Sequence, residues 1–267
     1  MGLGTVVQIG WRAAAALAAD ASDVHVLAPV GASIYIVAAG EILWLAGPTG
    51  VMHSRAIVLS EAPDAAAYRA GERVSVPPWH GDPWHPPVPT PIAGATARPR
   101  LEMIAASLGA PEGFGAWLLG EPLTFPLGGA AGAADALAAA CARDDAPAAT
   151  EAALTLLGLG AGLTPSGDDF VGGAFFARAV LAASRSAAWT QAATSIRGAA
   201  AQATNAISAT LLGDLIEGDG WSPLHDLAGA LVSGDDARAL SAARRLTGLG
   251  HSSGWDVLAG LAAGIAR

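Results

Sequence analysis

Residues 158–169 read Gly-Leu-Gly-Ala-Gly-Leu-Thr-Pro-Ser-Gly-Asp-Asp, a glycine-rich turn delivering hydroxyls and two carboxylates to the start of a helix. Gly158, Gly160 and Gly162 alternate strictly, which permits unusual φ values and close approach of a ligand to the backbone. Successive N–H groups in such a turn form an anion-binding concavity at a helix start. No Gly-Lys-Ser/Thr follows, so no lysine balances phosphate charge and a Walker-type loop is excluded. The adjacent Asp168 and Asp169 repel a bare anion. They suit a ligand with both an anionic end and amide N–H groups: backbone donors hold its oxygens, Asp168 accepts from nitrogen, and Thr164 and Ser166 orient it.

A second segment repeats this grammar. Ser253-Gly254-Trp255-Asp256 followed by Val257-Leu258-Ala259-Gly260 lines up with Ser166-Gly167-Asp168-Asp169 followed by Phe170-Val171-Gly172-Gly173. Each follows a Gly-Leu-Gly turn. Two such helix N-termini are expected to face each other across one pocket, related by a pseudo-twofold axis. Helix capping offers a competing account of Asp169 and Asp256, because an acidic side chain in the first turn is favoured by the cap and the dipole alone. Asp168 is harder to explain that way, since a second carboxylate adds repulsion that one cap does not require. His251, directly before Ser252 and Ser253, is the candidate for proton transfer beside Asp168.

Between these segments Thr204, Asn205 and Ser208 form a polar patch in a pattern otherwise filled with Ala, Ile and Leu. Thr204 and Ser208, four residues apart, share a face if the helix is continuous; back-bonding to the preceding turn is the alternative role for their hydroxyls. The candidate substrate-binding set is therefore Gly160, Gly162, Thr164, Ser166, Asp169, Thr204, Ser208, Ser252, Ser253 and Asp256, with Asp168 and His251 as the reactive pair. The six histidines show no zinc-type spacing and Gly-x-Ser-x-Gly is absent. No cofactor is assigned; a divalent cation would go to Asp168 and Asp169, and nothing in the pattern requires one. In the N-terminal part His25, His53 and Arg55 are the polar candidates, Arg55 being expected on a solvated strand face.

These residues need a scaffold, and the bulk composition bounds it. The chain has 267 residues, of which 52% are hydrophobic and 14% charged, enough for a sizeable core. A net charge of −9 without a Lys/Arg cluster argues against nucleic acid. The single Cys141 fits a reducing, cytoplasmic compartment. The apolar first twenty residues lack the basic region of a signal peptide, and no run is long enough to span a membrane. Short Val/Ile/Leu-rich runs at 23–30, 33–38, 41–46, 51–59 and 73–76, punctuated by glycine, read as an antiparallel sheet or small barrel. Residues 77–99 are too rich in proline for a helix interior or central strand, and their Trp79, His80, Trp84 and His85 suggest a strap packed on the surface. Helices are expected at 101–108, 130–142, 147–157, 168–184, 188–217, 223–232, 235–246 and 254–266. The fold class is α+β: a β-rich domain over 1–99, ending in the strap, and an all-α domain over 100–267.

At 158–169, 204–208 and 250–260 the sequence resembles the AllH-like family, named for a subunit of oxamate carbamoyltransferase and long classed as a domain of unknown function. The β-rich first third and the overall length also look similar. The resemblance implies a part in anaerobic allantoin breakdown, a branch of purine degradation. There an assembled enzyme moves a carbamoyl group from oxalurate to phosphate, giving oxamate and carbamoyl phosphate. It also implies other enzyme subunits as partners, and a small anionic amide or carbamoyl phosphate as ligand. The family transfers no catalytic residue. A non-catalytic binding or regulatory module using the same pocket is the alternative.

Overall fold

A computed structural model describes residues 3–87, 94–181 and 186–265. The chain divides into two compact units, Met1–Pro87 and Val88–Arg267, the first built on a sheet and the second of helices. This is the α+β arrangement. Among the described residues no helix is long and apolar enough to cross a membrane.

The first unit begins with two elements that residue pattern alone did not reveal, strand β1 (Val6–Ile9) and helix α1 (Trp11–Ala19). Strands β2 (His25–Val30), β3 (Ser33–Ala38), β4 (Glu41–Ala46) and β5 (Ala56–Leu59) follow, in the spatial order β1-β5-β4-β3-β2. Gly31 and Gly40 adopt positive φ in the tight turns of the β2–β3–β4 meander, which glycine does without steric cost. Ile34, Ile36 and Ala38 point alternately into the core. The expected all-antiparallel sheet is corrected at one pair. β5 runs parallel to β4, because residues 47–55 cross over instead of forming a hairpin. Lying between β1 and β4, its Ala-Ile-Val-Leu is buried throughout.

Two further expectations change here. Residues 73–76 form no strand, only a bridge between Arg73 and His25. His53, Ser54 and Arg55 precede β5 and are buried; Arg55 donates to Glu41 at 2.5 Å, so it is no solvated strand residue. His25 pairs with Asp23 at 2.6 Å near the surface. In the proline-rich run, Trp84 exchanges backbone hydrogen bonds with Ile9 and Trp11, and His85 stacks on the Trp11 ring. Residues 88–93 lie outside the described segments.

The helical unit contains α2 (Gly94–Ala106), α3 (Gly115–Leu118), α4 (Ala131–Ala142), α5 (Ala146–Leu154), α6 (Ser166–Val180), α7 (Ala187–Ala203), α8 (Ala206–Glu217), α9 (Ser222–Ser233), α10 (Asp236–Thr247) and α11 (Ser253–Gly264). Helix α2 starts earlier than expected and takes Pro99 into its interior, forgoing one backbone hydrogen bond. At α9 the cap position falls on Trp221, with Ser222 and Pro223 inside the first turn. Helix α8 closes on Gly218 in the left-handed conformation, whereas at the end of α10 Gly248 has negative φ and Gly250 takes the positive value.

Helix α6 is buried on nearly all sides. Phe170, Val171 and Phe175 join one core cluster and Phe176, Ala177 and Val180 another, so α6 is the central rod of the unit. Helix α11 lies against it. A Cβ on Gly173 would come within 2.3 Å of the Val257 carbonyl, and one on Gly260 within 2.0 Å of the Phe170 carbonyl. The glycines let two backbones touch.

Candidate functional site

The site grows from this helix pair. Ser166 and Ser253, Asp169 and Asp256, Gly173 and Gly260 are each 87 positions apart, and the two glycine contacts are reciprocal under that shift. The reciprocity relates α6 and α11 by a pseudo-twofold axis, and the contacts of Thr164 with Ser253 at one end and of Gly264 with Ala174 and Ala177 at the other show that they run side by side in the same direction. Their positive N-terminal ends lie together, an arrangement that costs electrostatic energy unless negative charge sits between them.

Hydroxyls close the junction. Thr164 Oγ1 lies 2.8 Å from Ser253 Oγ, and Ser166 Oγ lies 3.3 Å from Ser252 Oγ. The two segments meet directly instead of facing each other across an open gap. Thr164, Ser252 and Ser253 are half-buried and Gly162 is exposed, so this hydroxyl layer is reached from solvent.

Asp169 and Asp256, 3% and 0% exposed, belong to the same junction. Neither is a cap. The cap residues of the two helices are Pro165 and Ser252, and no side chain caps either end. Nor do Ser166 and Asp169 form a capping box: Ser166 is itself the first helical residue, and its hydroxyl turns across to α11 instead of back along its own backbone. Asp256 Oδ1 accepts the Phe114 N–H at 2.6 Å, and a Cβ on Gly113 would collide with that carboxylate. Oδ2 of Asp169 and Oδ2 of Asp256 are buried without a hydrogen-bond partner.

Burial pushes the Asp169 carboxyl well above the usual range, and repulsion from Asp256 and Asp168 adds to it. The hydroxyls of Ser253 and Thr164 hold the shift back. Burial likewise raises Asp256 to about 6, tempered by the Phe114 N–H and by Ser252 and Ser166, with Glu112 pushing further up. The crossing is symmetric: each carboxyl lies beside the opposite helix's first hydroxyl.

Asp168 is differently placed. Its Oδ1 accepts the Gly158 N–H at 2.7 Å and its Oδ2 accepts the Ser208 hydroxyl at 2.6 Å. Both oxygens are thus engaged inside the fold, tying the glycine turn to α8. Thr204 and Ser208 do not share a face of one helix, because the expected helix 188–217 breaks at residues 204 and 205. Thr204 is extended, and Asn205 caps α8 through the N–H groups of Ile207 and Ser208, both at 3.1 Å. The Asn205 side-chain amide also donates to the Leu163 carbonyl at 2.9 Å. A third helix N-terminus therefore reaches the same turn. The Thr204 hydroxyl is buried and unpartnered.

Gly158, Gly160 and Gly162 all have positive φ. At Gly160 a Cβ would also press on the Ser166 N–H, 2.8 Å away, whereas Gly162 faces open space. His251 stands at the rim, 95% exposed and 3.4 Å from Glu112. The structure brings Thr164, Ser166, Ser252, Ser253, Asp169 and Asp256 together; it ties Asp168 to Ser208 beside them and leaves His251 outside.

Residues 156–265 match the model of a family described as oxamate carbamoyltransferase subunit AllH. The AllH match thus contains both glycine turns, the α6–α11 pair, the helix break at 204–205 and every site residue named above except Glu112, Gly113 and Phe114. No curated protein and no solved structure matches the chain. Residue pattern missed the Phe114 N–H entirely, since nothing local marks a backbone donor 142 positions from its acceptor. Asn205 as a cap was readable, being a cap-type residue ahead of an apolar run. Among the described residues no group of three or more His, Cys, Asp or Glu is arranged to hold a metal ion.

Proposed function

We propose that this chain is a cytoplasmic carbamoyltransferase subunit that acts with partner subunits on a small anionic amide. The observation that carries this is the meeting of 158–169 with 251–256 over two buried aspartates, inside the segment matching the AllH family. Oxamate and carbamoyl phosphate both join anionic oxygens to an amide nitrogen, which is the ligand chemistry such a junction suits. The hydroxyls of Thr164, Ser166, Ser252 and Ser253, with backbone N–H groups at the helix starts, hold oxygen and stabilise charge that develops on it. Asp168 acts as a positioning residue, fixing the glycine turn against α8. His251, at the exposed rim, is placed to meet an arriving substrate or partner subunit.

The test uses the chain assembled with its co-purifying subunits. Phosphate-dependent cleavage of oxalurate, and its reverse from oxamate and carbamoyl phosphate, are expected. Oxamate or carbamoyl phosphate is also expected to raise the melting temperature of the chain. A melting shift without turnover in any assembly would favour a non-catalytic binding module in allantoin catabolism; neither effect would overturn both.

A further inference from the structure

Two buried carboxyls with unpartnered oxygens, set at equivalent positions on paired helices, do more than neutralise helix dipoles. A dipole is neutralised as well by Asp168, whose oxygens are fully engaged. Asp169 and Asp256 instead each leave Oδ2 without a partner, next to the hydroxyls that form the solvent-side layer of the junction. Two like charges in one buried place do not both persist. The arrangement favours one proton held between the two sites.

We propose that Asp169 and Asp256 form an acid–base pair holding one proton, and that they carry out the proton exchange of carbamoyl transfer at this junction. The inference rests on the carbamoyl-transfer reading above. In the direction from carbamoyl phosphate to oxamate, the amide nitrogen forms a bond to the carbamoyl carbon while the bond from that carbon to the phosphate oxygen breaks. The ionised carboxyl takes the proton that the nitrogen releases. The protonated carboxyl gives its proton to the departing phosphate oxygen. The pair ends with one proton, now on the other member, so the exchange balances without an outside acid or base and runs equally in reverse.

The surroundings keep the members inequivalent. Asp169 meets Asp168 on its own helix, while Asp256 meets Glu112 from the segment before α3 and accepts the Phe114 N–H. Burial raises both carboxyls. The Phe114 N–H stabilises the ionised form of Asp256, so Asp256 is the base and Asp169 the proton holder in the resting state.

Two measurements test this. Infrared spectroscopy of the isolated chain at neutral pH should show the C=O stretch of one buried protonated carboxyl, removed by Asp169→Asn and altered by Asp256→Asn. In the assembled enzyme each variant should lower kcat about 100-fold or more, in keeping with the usual size of general acid–base contributions, and the pH–rate profile should lose one limb. Absence of the infrared band, or its survival in both variants, overturns the proposal. So does an active assembly in which both variants keep kcat within about 3-fold and retain the profile, since acid–base removal costs far more. If the band behaves as expected but the unaltered assembly transfers no carbamoyl group, the function assigned above and the transfer step fall while the shared proton stands.

Discussion

At Asp168 both carboxylate oxygens accept hydrogen bonds, one from a backbone N–H ten positions earlier and one from a hydroxyl forty positions later. One residue on, Asp169 has an oxygen with no partner at all. Adjacent, chemically identical side chains therefore carry different duties, and a substitution separates them. Asp168→Ala leaves the buried Ser208 hydroxyl and the Gly158 N–H without an acceptor. Unmet buried donors cost about 1–3 kcal/mol each, so a fall in melting temperature of roughly 5–15 °C is expected for a unit of this size. Thermal denaturation followed by circular dichroism checks it. Asp169→Asn replaces a protonated carboxyl with a neutral amide of the same shape, so its melting temperature is expected to stay level.

The helix pair α6 and α11 depends on close backbone approach, which puts the second prediction at this scale. Gly173→Ala or Gly260→Ala places a methyl group 2.0–2.3 Å from a carbonyl oxygen of the facing helix. Backbone cannot move aside as a side-chain tip can, so destabilisation of roughly 3 kcal/mol is expected, the upper range for overpacking. Gly198 in α7 provides the contrast. A Cβ there meets nothing within 4 Å, and Gly198→Ala should stabilise by about 0.5–1 kcal/mol, the helix-propensity gain. Urea denaturation of the three variants distinguishes close packing from mere helix preference. The break between α7 and α8 belongs to this scale too. Alanine-rich sequence on both sides supports a continuous helix, and the continuous helix was the expectation. Asn205 wins because its side chain caps α8 while holding the Leu163 carbonyl, a gain available only once the glycine turn is folded beside it.

Across the whole molecule, two buried groups set opposing pH dependences. His225, buried and accepting the Gly220 N–H at 3.1 Å, is lowered by burial from 6.5 to about 4, against the pull of Asp219 and Asp226. Between pH 4 and 6.5 the unfolded chain binds more protons at this site, so its contribution to stability rises with pH. Asp256 runs the other way. Its folded value, raised from 3.8 to about 6, means that the folded chain binds more protons, and stability falls as pH climbs through that window. Asp169 adds to the falling limb. Two falling contributions against one rising one make the melting temperature fall between pH 4 and 7. Asp256→Asn should flatten that fall and His225→Gln should steepen it; parallel profiles for both variants would refute the assignment.

Composition and local pattern determined the broad plan: a β-rich start, a helical remainder, and chemistry concentrated in 158–169 with an echo at 250–260. These are properties of neighbours along the chain, since glycine spacing, turn residues and hydrophobic period act over a few positions. What only the tertiary structure decided is which partner each side chain meets. The parallel β4–β5 pair depends on a crossover. The burial of Arg55 depends on Glu41, and the role of Asp256 on a backbone amide from a distant segment. The two site segments were visible separately and alike. That they meet at hydrogen-bonding distance, with Asp168 held inside the fold and Asp169 opposed to Asp256, follows from glycines that let α6 and α11 touch. The desolvation that shifts those carboxyls exists only after that contact forms.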